Sequence, residues 1–188
     1  MPKLSSAGWI AHDLGLAAAI GGALFGKVAF DPSLKQIKNA KWRDKVNEDA
    51  WGRYGPLTLG AHLAVAAPWL IGRLMLSGKE VSSEARQLTK AKDILIGISL
   101  VTVAASAILG RIMSKRKVAA AGPEEARAGG ANGHKGADER KQIIIDRTLD
   151  SISMLNLAAN IGVMGVTAVL ALEAAESKKF DDDARALP

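Results

Sequence analysis

Three windows of the chain, 54–72, 94–110 and 151–172, are almost free of charge, and a shorter one, 14–26, is closed on both sides by polar residues. A stretch of 18 or more apolar residues is long enough to cross about 30 Å of hydrocarbon, whereas a buried helix of a water-soluble protein is shorter and carries a polar stripe. The pattern predicts an all-α, integral membrane four-helix bundle with short extramembrane helices, in one transmembrane domain over 1–188. Its spans fall near 9–30, 55–76, 93–113 and 151–172.

The first span is the shortest. Between Asp13 and Lys27 lie only 13 uncharged residues, and at 1.5 Å per residue those two charges stand about 21 Å apart, so Lys27 must snorkel to its interface. Pro32 is expected to stop this helix. The polar stretch 31–54 then interleaves Lys35, Lys38, Lys41, Arg43 and Lys45 with Leu34, Ile37, Trp42 and Val46 at helical spacing, the pattern of a basic amphipathic helix on a membrane surface. Trp51 and Tyr54 lead into the second span, which holds His62 and Pro68; Trp69 and Arg73 mark its far end. A short polar connection, 77–92, implies two neighbouring antiparallel helices. The third span ends in the basic cluster Arg111, Lys115, Arg116 and Lys117. From 118 to 136 the sequence is Ala, Gly, Pro and charge without periodicity, a flexible cytoplasmic connection. The tail, 173–188, reads as a frayed helical end in water.

Composition changes this picture little. Hydrophobic residues make up 48% of the chain but aromatics only 4%, with 19 Gly, so the apolar content is of the small kind that lets membrane helices approach closely. Two small-residue faces stand out for helix packing, Ala18, Gly22 and Gly26 on the first span and Ala158, Gly162 and Gly165 on the last. The net charge of +6 sits in the connections, which fits anionic lipid as partner and gives no reason to expect nucleic acid. Of the 25 Lys and Arg, 16 lie in the first and third connections. The positive-inside rule therefore places those connections in the cytoplasm of a bacterial cell and both termini outside the cytoplasmic membrane. With no Cys there is no disulfide, thiolate metal site or thiol nucleophile.

Little of the candidate chemistry in the chain is specific. Phosphate-binding loops, dinucleotide fingerprints, paired-His zinc helices and nucleophile elbows are all absent from the sequence. Two histidines on different spans, His12 and His62, have the composition of a bis-histidine haem site. Counted from span ends at Trp9 and Gly55, however, they stand roughly 15 Å apart along the membrane normal, too far for one iron. His62, Ser106, Asn156 and Asn160 fall at a common depth and are expected to converge inside the bundle, either as a hydrogen-bonded network that fixes helix register or as a pocket for a lipid, quinone or other small ligand. His12 and its neighbour Asp13 point about 100° apart and cannot form a dyad; near Trp9 they read as an end cap or headgroup contact. His134 lies in the Gly-rich connection with no neighbouring ligand residues, and no metal site is expected. A His without an adjacent carboxylate is weak evidence for acid–base catalysis. The expected role is a structural or accessory subunit of a membrane protein complex, packed against other subunits or itself and without catalytic activity of its own; the alternative is a redox or ligand-binding subunit whose intramembrane His touches haem or quinone.

Overall fold

The computed structural model of the chain describes residues 2–76, 83–120 and 135–186. These form α1 (Pro2–Phe25), a π-helical turn (Gly26–Phe30), α2 (Asp31–Lys35), α3 (Ala40–Leu76), α4 (Ser83–Ala120) and α5 (Lys135–Ala186). Four helical stretches are long and apolar enough to cross a membrane: Ser6–Lys35, Ala40–Met75, Ser83–Ile112 and Ile143–Glu176. Between 17% and 28% of each apolar window is buried inside the chain, so large side chains such as Leu14, Leu57, Leu63, Val101 and Ile161 face outward. That surface is unfavourable in water and natural in hydrocarbon. The chain is a multi-spanning helical membrane protein.

Each helix runs antiparallel to its neighbours. His12 of α1 lies beside Val65 of α3, Trp69 of α3 beside Asp93 of α4, and Asn156 of α5 beside Ser99 and Thr102 of α4. Lys27, at the other end of the first span, pairs with Asp150 of α5 and closes the ring. The packing is uneven: α1 with α3 and α4 with α5 form two extensive contacts, while α3 and α4 touch over the shortest stretch among the long helices that meet. Leu16, Val65, Ala66, Ile96 and Val163 form the buried centre.

The α1–α3 contact depends on glycine. A Cβ on Gly15 would sit 2.6 Å from the Ala61 carbonyl oxygen, and one on Gly22 would fall 1.2 Å from the Tyr54 hydroxyl, which donates to the Ala18 carbonyl at 3.2 Å. Gly26 is buried beneath the Trp51 ring. Outside this contact, an open apolar furrow of about 410 Å³ runs between α1 and α3, floored by Ala11, Gly15, Ala18, Gly60, Ala61 and Ala64.

Helix ends differ from the hydropathy boundaries. Pro32 does not stop the first helix. Lacking an N–H and crowding the preceding turn, it is preceded by the π turn, in which the Asp31 N–H reaches back to Gly26, and helix resumes through Lys35. The break falls at 36–39, where the Asn39 side chain accepts from the Trp42 N–H at 3.2 Å and caps α3. The stretch 40–54 is therefore no separate surface helix but the first turns of α3, which continues through Pro56 and Pro68. At 37, 38 and 52 residues, α3, α4 and α5 are about 55, 57 and 78 Å long against about 30 Å of hydrocarbon. Long aqueous arms replace the expected short extramembrane helices, because an uncharged window marks the hydrocarbon and not the end of the helix. The 173–188 tail continues α5 as far as Ala186. Most of the predicted flexible connection lies outside the described residues.

Candidate functional site

Polar side chains gather at two levels of the bundle. The first is central. The Nδ1–H of His62 donates to the Thr58 carbonyl at 2.7 Å, one turn back on α3, which leaves Nε2 as the acceptor of the neutral ring. Nε2 crosses the bundle toward α5 and meets the side-chain amides of Asn156 at 3.3 Å and Asn160 at 3.4 Å. Asn156 also donates to Thr102 Oγ1 at 2.7 Å and to the Ser99 carbonyl at 2.9 Å. The Asn160 amide reaches Asn156 Oδ1 at 3.0 Å, and Asn160 Oδ1 accepts from the Ser99 hydroxyl at 3.0 Å.

Of the four residues expected to converge, His62, Asn156 and Asn160 come together and Ser106 does not. Ser99 and Thr102 take its place, while Ser106 is half-buried and makes no side-chain hydrogen bond among the described residues. The reason is register. Asn156 lies opposite Ser99 and Thr102, and Ser106 is one further turn of α4 away. Equal depth counted from two estimated span ends does not resolve one helical turn. The network spans three helices and is internally satisfied, since none of its buried side-chain nitrogens or oxygens lacks a partner.

The second level lies toward the N-terminal end of α1. His12 is buried to 3% exposure, and its Nδ1–H donates to the Val65 carbonyl at 2.7 Å. Its ring stands edge-on to Trp9, with centroids 6.1 Å apart at 82°. Lys92, which the sequence pattern places in a solvated connection, has 0% exposure; its Nζ lies 4.2 Å from the Trp69 ring centroid and 5.4 Å from that of Trp9. Asp93 accepts from Trp69 Nε1 at 2.7 Å and from Arg73 at 3.1 Å, so its carboxylate is turned toward α3. Asp13 is exposed. His12 Nε2 and Lys92 Nζ are the two buried side-chain atoms without a hydrogen-bond partner among the described residues. His12 is thus neither an end cap nor a headgroup contact.

Val65, beside His12, is three residues from His62, so the two histidines stand about 4.5 Å apart along the axis. The 15 Å offset expected from the sequence is corrected, because α1 and α3 begin well before Trp9 and Gly55. Level histidines still do not make a ligand pair here, since His62 Nε2 faces the Asn156 and Asn160 amides and only His12 keeps a nitrogen without a partner. Among the described residues no group of three or more His, Asp or Glu is arranged to hold a metal ion. Gly130 and His134 lie outside the described residues.

The small-residue faces divide. Ala18, Gly22 and Gly26 meet Tyr54 and Trp51 of the same chain. On α5, Gly162 packs on Leu95, while Ala158 and Gly165 are exposed and Gly165 has open space beside it. Of the basic side chains, Lys35, Lys38, Lys41, Arg43, Lys45 and Arg111 are exposed; those of Lys115, Arg116 and Lys117 lie outside the described residues. Comparison with family models, curated proteins and solved structures gives no match.

Proposed function

We propose that this chain is a structural or accessory subunit of a membrane protein assembly in the bacterial cytoplasmic membrane, with its two long connections in the cytoplasm and its termini outside. One observation carries this proposal: the helices run far past the hydrocarbon and present large apolar side chains there. Trp42 is 60% exposed on the α3 arm, and Ile143 and Ile144 are 48% and 63% exposed on the α5 arm. These exposed apolar side chains on two arms are surface that a partner subunit would cover. Within the membrane, exposed Ala158 and Gly165 leave room for another helix to approach α5. The basic residues of the α3 arm hold it against anionic headgroups, and Lys45 lies over the Trp42 ring at 5.5 Å. The central network supports the same role, because its groups satisfy one another and fix the register of α3, α4 and α5.

The test is purification from native membranes in a mild detergent, read by visible absorption and by mass spectrometry of co-purifying proteins. A colourless preparation with a stoichiometric membrane partner, lost on Trp42→Glu with Ile144→Glu, is expected. A monodisperse monomer without a partner would refute the proposal, and a Soret band would move the chain to the redox class.

A further inference from the structure

Lys92 and His12 present an unmet chemical requirement. The ammonium offers three N–H donors and no acceptor, and none of them is used although the side chain is fully buried. The His12 ring, fixed by its Nδ1–H bond to Val65, offers one acceptor lone pair in its neutral form, and that is also unused. Both groups border the same indole, Trp9. Cation–π contact with Trp9 and Trp69 eases the burial of the ammonium but supplies no hydrogen-bond acceptor. The nearby carboxylates do not meet the need, since Asp93 is engaged by Trp69 and Arg73 and Asp13 faces outward.

A group that both accepts and donates satisfies the two atoms together. A carboxylate, an ether or a quinone carbonyl accepts from Nζ but brings no proton for Nε2; a hydroxyl does both. The flanking indoles favour a flat apolar body on that hydroxyl. The seam between α3 and α4, the least extensive contact among the long helices that meet, carries Trp69, Arg73 and Asp93 at its edge. We infer that the Trp9–His12–Trp69–Lys92 cluster binds the phenolic or quinol hydroxyl of a membrane-soluble amphiphile, with its oxygen between Lys92 Nζ and His12 Nε2. The site is separate from the His62 network and does not depend on the accessory role.

The experiment uses the full chain in lipid nanodiscs with two probes of one shape, 4-octylphenol and its methyl ether 4-octylanisole, each partitioned between protein-bearing and empty discs. The phenol is expected to show a saturable excess in the protein-bearing discs and to bind at least about tenfold more tightly than the ether, the loss that follows when the buried His12 Nε2 is left without its donor. Lys92→Met is expected to abolish the saturable excess. His12→Phe is expected to make phenol and ether equivalent, and exposed Asp13→Asn to change neither. Monodispersity and helical circular dichroism identify variants that fold, and either of the first two variants alone suffices. Equal uptake of the two probes overturns the inference, as does preference retained in a folded Lys92→Met or His12→Phe protein. No saturable excess of either probe also overturns it and leaves water as the occupant.

Discussion

Replacing Asn160 with Leu keeps roughly the volume of the side chain while deleting its carboxamide, so the loss is chiefly of hydrogen bonds. Asn160 is 1% exposed. It gives up its bonds to Ser99, Asn156 and His62. Ser99 can turn its hydroxyl to a carbonyl one turn back on α4, as Thr102 already does toward Ile98 at 2.8 Å. Asn156 Oδ1 has no such recourse and is left buried without a donor. Two net bonds at about 0.5–1.5 kcal/mol each and one stranded acceptor at about 1–3 kcal/mol give about 2–6 kcal/mol of destabilisation, near the lower figure because polar bonds between membrane helices average about 0.6 kcal/mol. Asn156→Leu alone removes the bonds from its amide to Thr102 Oγ1 and the Ser99 carbonyl. In Asn156→Leu/Asn160→Leu the acceptor stranded by the Asn160 substitution is itself gone, so the double variant is expected to cost about 1–2 kcal/mol less than the sum of the single ones. Reversible unfolding in mixed micelles, followed by circular dichroism, measures all four corners of the cycle. Strictly additive losses would refute the existence of a shared network, and a loss under about 0.5 kcal/mol for Asn160→Leu would show that the buried amide contributes nothing to register.

Three further outcomes follow from the packing and the topology. Gly15→Ala is expected to destabilise by about 1–3 kcal/mol, because its Cβ meets the Ala61 carbonyl at 2.6 Å, while Gly60→Ala, with nothing within 4 Å, is expected to be near neutral in the same unfolding assay. The same contrast is expected between Gly22→Ala, which displaces the Tyr54 hydroxyl, and Gly21→Ala beside it. Single cysteines, introduced into a chain that has none, are expected to be shielded from an impermeant thiol reagent in intact cells at Lys41 and Gly130 and labelled at Ser82. The opposite pattern reverses the orientation, and labelling at only one of Lys41 and Gly130 breaks the four-span topology. Asp150→Asn is expected to shift stability by less than about 1 kcal/mol, since Asp150 is 65% exposed in its pair with Lys27 and water screens the interaction.

Hydropathy located the four spans because the cost of a charge in hydrocarbon is written directly into residue type. It was silent on where helices end, since Asp44, Glu48 and Arg53 are as acceptable on the α3 arm in water as in a loop. Pro32 misdirected for a related reason: a membrane helix absorbs a proline by a π turn or by its neighbours, and does not necessarily stop there. His62, Asn156 and Asn160 were legible as partners because polar groups in hydrocarbon seek one another. Ser99, Thr102 and the near-level position of His12 were not, because each depends on an antiparallel register fixed by contacts such as Gly15 on Ala61 and Gly162 on Leu95. Lys92 was the largest miss. A lysine next to Asp93 at the edge of an apolar window reads as a snorkelling cation, and only its position between two tryptophans from different helices shows that it is turned inward.

The two polar levels meet opposite thermodynamic conditions. In the central network every buried side-chain donor and acceptor finds a partner, on its own helix or across to another, so the group rigidifies the bundle and offers nothing to a visitor. At the second level the chain buries an ammonium and an imidazole nitrogen and leaves both unmatched, although an apolar pair of similar volume would pack there at lower cost. Buried polar groups are matched in the great majority of folded structures, and exceptions concentrate where a chain does something besides fold. The contrast within one bundle, between groups no more than about two turns apart, argues that the open level serves binding and the closed one serves architecture. It also orders the mutational responses: substitutions at Asn156 or Asn160 should lower stability, while Lys92→Met should preserve or raise stability and remove the hydroxyl preference. If Lys92→Met instead destabilised the chain as much as Asn160→Leu, the ammonium would be a structural member of the bundle and the distinction between the two levels would collapse.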